Sequence, residues 1–206
     1  MRLCRIVSMI VVGLVATYAH GQQFGVPVAT DAASVTGGTM EVSGGLVLGD
    51  DINLYGGRFT YHLAHDFSLF GDLGLVDVDK LDMGFGAQIG GLFLLPGIVG
   101  VPLDFGVRGT LGYGMVSDDF DLDFLSFSAM GIASYTIDEM FSVYGVLGFA
   151  YIREEISFGG SSSTDSDTEP AIGVGALVNF VPELSAYIEL IHIDDPWIGL
   201  GAAFRF

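Results

Sequence analysis

The chain has 206 residues, half of them hydrophobic, with 31 glycines and 16 phenylalanines against 6 prolines, and a formal charge of −18. That length holds one domain of ordinary size, and the excess of 25 acids over 7 bases excludes nucleic acid as a partner. After the N-terminus no uncharged apolar run approaches the roughly 20 residues of a spanning helix, which excludes a helical membrane protein.

Residues 1–21 read as a separate object. Arg2 and Arg5 precede an apolar core, Ile6 to Ala16, that is too short to span a bilayer, and Ala19-His20-Gly21 places small residues where a signal peptidase cuts. A cleaved export signal is expected. Its removal takes two bases and no acid, moving the formal charge from −18 to −20, and it takes the one cysteine, Cys4. Cys4 precedes the apolar core, so it is no lipid-attachment site, and the mature chain has no thiol chemistry. Residues 22–38, QQFGVPVATDAASVTGG, have no sustained period and are expected to form a periplasmic lead-in.

From Thr39 onward the chain alternates at period two in ten segments: Thr39 to Leu48, Ile52 to Tyr61, Phe67 to Asp77, Leu81 to Leu95, Leu103 to Met115, Asp123 to Thr136, Phe141 to Glu154, Pro170 to Phe180, Leu184 to His192 and Trp197 to Phe206. Each has about the length of a tilted strand that crosses a bilayer. The pattern predicts one all-β domain over 39–206; a soluble sandwich would alternate in the same way, and the export signal with the terminal aromatic call instead for lipid outside and a closed antiparallel transmembrane β-barrel of 10 strands, with 8 as the alternative.

Three stretches share an acid, one or two apolar residues, a serine and an aromatic: Asp66 to Phe70, Glu139 to Tyr144 and Glu183 to Tyr187. Each follows a tight connection and opens a strand. They resemble the short periplasmic turns of the small outer-membrane barrels of the OmpA and OmpX type. The last strand, PWIGLGAAFRF, ends with Gly201, Phe204 and Phe206 in the arrangement of the terminal strand of that family, although Leu200 stands where a polar residue usually precedes the glycine. The resemblance implies location in a Gram-negative outer membrane, contact with outer-membrane lipid and lipopolysaccharide, and recognition of the last strand by the barrel assembly machinery. It also implies longer extracellular loops, at Ser117 to Leu122 and Ser157 to Glu169, and any extracellular partner would meet the chain there.

With the bulkier apolar set of each strand facing lipid, the outward sets carry no charge; examples are Met83, Phe85, Ala87, Ile89, Gly91 and Phe93. Seven charged residues within strand bodies take the inward parity: Glu41, Arg58, Asp72, Asp104, Arg108, Glu189 and Arg205. The other bases of the mature chain, Lys80 and Arg153, sit near outer strand ends. A turn at Gly49-Asp50 sets Glu41 across from Arg58, whereas a turn at Asp50-Asp51 sets Ser43 there with Glu41 diagonal. Arg205 is expected near Glu41 at the seam between first and last strands, and Asp72 diagonal to Arg58. A buried arginine needs a partner, so a mutually paired lumen cluster is the expectation. The other reading is a gate in a narrow channel for small polar solutes, favoured by inward glycines such as Gly84, Gly90, Gly173, Gly175 and Gly201, which suggest open volume.

Chemistry at the rim is weighed against this. Asp77 and Asp79 with His192 and Asp194 superficially resemble the omptin protease site, but no length is spare for the raised strands that shape that cleft. His62 and His65 are expected in a periplasmic turn. Asp165, Asp167 and Glu169 alternate in one loop and Asp118, Asp119, Asp121 and Asp123 cluster in another; hydrated loops are the expectation, with no metal and no cofactor. The resulting expectation is a structural or surface-interaction protein without catalysis.

Overall fold

The computed structural model describes residues 31–32, 36–49, 52–78, 83–98, 100–117, 121–158, 161–193 and 195–206. The expected signal and most of the lead-in lie outside them, as do Asp79, Lys80, Asp118, Asp119 and Asp194. Ten strands follow one another: β1 (Met40–Leu48), β2 (Ile52–Ala64), β3 (Phe67–Val78), β4 (Gly84–Leu94), β5 (Asp104–Ser117), β6 (Asp121–Thr136), β7 (Phe141–Phe158), β8 (Ser161–Val181), β9 (Leu184–Ile193) and β10 (Asp195–Arg205). Each pairs antiparallel with its sequence neighbours, and β1 pairs with β10, so the sheet closes into a barrel of ten strands rather than eight. Closure satisfies every strand edge within the wall, which is what allows a sheet to stand in lipid.

Alternation fixes the two faces. On β10, Trp197 and Ala203 are buried while Ile198, Leu200, Phe204 and Phe206 are exposed. Leu147 and Ile89 are each 66% exposed, a state that leaves large apolar side chains stable only against lipid. The seam is completed by Phe206, whose backbone N–H and C=O both bond Met40 at 2.9 Å.

Both ends of the barrel differ from expectation in one respect each. At the end holding Met40 and Phe206, called here the terminal end, β2 runs on to Ala64 with a register shift between His62 and Ala64, so His62 is a strand residue and only His65 lies in the turn. The repeated acidic turns are short; at one of them Asp138 Oδ1 accepts the N–H groups of Met140 and Phe141 at 2.8 and 2.9 Å. At the far end, 157–158 and 161–169 belong to strands rather than to a loop. β7 and β8 stay paired from Phe141↔Val178 to Phe158↔Ser161, whereas β8 meets β9 only from Ile172 onward. β8 therefore projects past β9 as an edge strand, while β7 stays paired on its other side with β6 up to Asp121↔Ser157. Residues 162–168 of β8 are exposed at both parities, so the period that reveals a half-buried strand is missing there.

Candidate functional site

The lumen gathers most of the predicted charges, in two separate groups. Of the two possible β1–β2 registers the observed one pairs Ser43 with Arg58 and leaves Glu41 diagonal. Asp72 lies directly across from Arg58, not diagonal to it. The Arg58 Nε and Nη2 atoms donate to the two Asp72 oxygens at 2.7 and 2.8 Å, a bidentate pair whose side chains are 3% and 0% exposed. Gln88 Nε2, from β4, donates to the same carboxylate. Phe70 supports the group from below: the guanidinium carbons of Arg58 and Arg108 stand 4.7 and 4.6 Å from its ring centroid. Across the lumen, Tyr144 donates to Glu189 Oε2 at 2.8 Å, and Glu189 and Arg108 are both 1% exposed.

The second group lies at the terminal end. Arg205 pairs with Glu41 at 2.9 Å across the seam, with side chains 40% and 19% exposed. Their strands place them directly opposite. They line a cavity of about 40 Å³ with Asp31, His62, Ser68 and Tyr187, room for only a few waters at roughly 10–15 Å³ each. His62 Nδ1 is 2.7 Å from Ser68 Oγ. Asp31 and Ala32 enter this end: the Ala32 N–H donates to Ser134 Oγ at 3.0 Å, and Ser142 Oγ donates to Asp31 at 2.9 Å. Both serines face the lumen and are buried.

Asp104, the seventh predicted member, does not join either group. It opens β5 at the terminal end and is exposed, since parity selects a face but not a height along the barrel.

The lumen toward the far end is mainly apolar. Val47, Leu54, Val76, Val116, Leu122, Phe124, Ile191, Ile193 and Trp197 form one buried cluster, and it continues along β6 and β7 through Met130, Ile132, Tyr144 and Val146 to Ala32. The inward glycines do not leave open volume; they seat large side chains from neighbouring strands. A Cβ on Gly90 would meet the Phe70 ring, one on Gly175 or Gly201 would meet Tyr144 or Tyr187, and one on Gly84 would meet Val116. Gly173 lies between Val146 and Ile191.

The rim set does not converge. Asp77 and His192 take the outward parity, on β3 and β9, with β2, β1 and β10 between them. Asp123 is exposed and accepts the Tyr113 hydroxyl at 2.7 Å. Among the described residues no three His, Cys, Asp or Glu side chains are gathered as a metal centre. Sequence reading missed Phe70, Gln88, Tyr144, Tyr187 and Glu154, although all share the inward parity that singled out the charges.

Comparison with known proteins gives the same architecture. The sequence model described as outer membrane protein beta-barrel domain matches residues 7–206. The chain is 18% identical to the N-terminal β-barrel domain of Pseudomonas aeruginosa OprF over 84% of this chain and 100% of that one, with a TM-score of 0.42. It is 21% identical to Ail, the attachment invasion locus protein of Yersinia pestis, over 82% and 95%, with a TM-score of 0.39. It is 8% identical to the outer membrane protease OmpT from Escherichia coli over 82% and 94%, with a TM-score of 0.51. At such identities the likeness is one of fold. No curated protein matches the sequence.

Proposed function

Because the chain belongs to the family of outer-membrane β-barrel domains, we propose that it is a non-conducting barrel with a structural or surface-interaction role in the bacterial outer membrane, without catalysis. The observation that carries this reading is the filled lumen: a desolvated Arg58–Asp72–Gln88 group over Phe70, with a continuous apolar layer toward the far end. A water path for polar solutes would need polar walls along its whole length, and Val47, Leu54, Val76 and Ile193 offer none. The projecting end of β8 is the surface most available to an extracellular partner, and lipid and lipopolysaccharide would contact the outward face. Recognition of the outward Phe204 and Phe206 by the barrel assembly machinery is part of the same proposal.

A second reading, a narrow channel gated by Glu41, Arg58 and Arg205, draws on the small cavity at the terminal end. Single-channel recording of the refolded protein in a planar bilayer separates the two, run beside Glu41→Ala. A silent bilayer with both proteins is expected. Discrete openings that change with Glu41→Ala would replace the structural reading by the channel.

A further inference from the structure

The far end of β7 holds a buried acid that the lumen pairs do not use. Glu154, on β7, takes the inward parity with Ile152 and Ile156; it is 3% exposed, and its Oε1 has no hydrogen-bond partner. Asp165 of β8 stands directly opposite it, and Asp167, opposite Ile152, is its diagonal neighbour on the same face. Like charges directly opposed across a sheet destabilise it, and a carboxylate oxygen withdrawn from water without a partner costs more. Arg153, the neighbouring base, is exposed on the other face. One oxygen of each aspartate is engaged locally, Asp165 Oδ1 by the Ser166 N–H at 2.8 Å and Asp167 Oδ1 by the Thr168 N–H at 2.7 Å. Those contacts orient the two carboxylates without neutralising them.

We propose that Glu154 and Asp165 bind a divalent cation of the calcium type at the far rim of the barrel. A hard cation takes carboxylate oxygens and completes its shell with water, and it converts an opposed pair of like charges into a bridge between β7 and β8. So few protein ligands place the site at the weak end of calcium binding, with a dissociation constant on the order of 10⁻⁴ to 10⁻³ M. The inference goes beyond the proposed function and stands apart from the lumen, so a conducting barrel would leave it intact.

The test uses the full mature chain refolded in detergent micelles and stripped with EDTA. Bound calcium is measured by equilibrium dialysis against radiolabelled calcium chloride, and thermal unfolding is followed in parallel with and without calcium. Wild type is expected to bind one calcium saturably and to unfold at higher temperature with it. Glu154→Gln and Asp165→Asn are expected to weaken binding roughly tenfold or more, as for loss of one charged ligand, and to remove the calcium-dependent gain. Glu155→Gln, on the opposite face of the same strand, keeps both. Absence of saturable binding in wild type, or binding that Glu154→Gln leaves unchanged, overturns the proposal. So does stabilisation of wild type by mild acid alone with no calcium bound, which would mean that the two acids share a proton instead.

Discussion

Arg58 and Arg205 each face a carboxylate directly across a strand pair, yet water separates their energetics. The Arg58–Asp72 pair is sealed, so removing Asp72 leaves a buried charge without its main partner. Asp72→Ala is expected to destabilise the barrel by about 3–5 kcal/mol in urea unfolding from micelles. The Arg205–Glu41 pair is partly solvated, and Glu41→Ala is expected to cost at most about 1 kcal/mol in the same assay. The inward glycines add a steric prediction. Gly175→Val would drive its side chain into Tyr144, which is held by Glu189; overpacking of this kind costs about 1–3 kcal/mol. A measured change near zero would mean that the ring has somewhere else to go. Charges were legible in the sequence because seven of them share a parity. Their seats were not, because no local pattern says that Phe70 lies over Gly90.

At the scale of elements, the projecting end of β8 raises the question of its own edge. Residues 161–171 of β8 have β7 on one side and no β9 partner on the other, and such an edge invites another strand. Three successive alternate positions resist this. The N–H groups of Ser166 and Thr168 are occupied by the preceding aspartates, and Pro170 has no N–H to offer. Replacing Asp165 and Asp167 by serine and Pro170 by threonine is expected to yield concentration-dependent dimers in sedimentation of the micellar protein, where wild type stays monomeric. A triple variant that remains monomeric would show that charge or twist elsewhere guards the edge. The other nine strands were legible to within a few residues because lipid on one face and lumen on the other impose period two. The tip of β8 was not, because a strand wetted on both faces imposes no period.

For the whole molecule, closure decides which side of the sheet is the core. Leu147, on the outward face, meets lipid, so Leu147→Arg is expected to cost about 2–4 kcal/mol if it sits near the bilayer midplane. Closed pairing of all ten strands also predicts heat-modifiable migration: the unboiled protein should run apart from the boiled one on a denaturing gel. Identical migration would count against a stable barrel.

The sequence by itself determined the positions of the strand bodies, the shared inward parity of seven charges and the junction of β1 with β10, because alternation and turn spacing are local and the last strand carries its own signature. Only the tertiary structure decided that the lumen is filled. Inward alternation is satisfied equally by water, by ion pairs or by apolar packing. The choice among them depends on which side chains from non-adjacent strands arrive at the same height, and that height follows from strand register and tilt around a closed ring, quantities no single strand encodes.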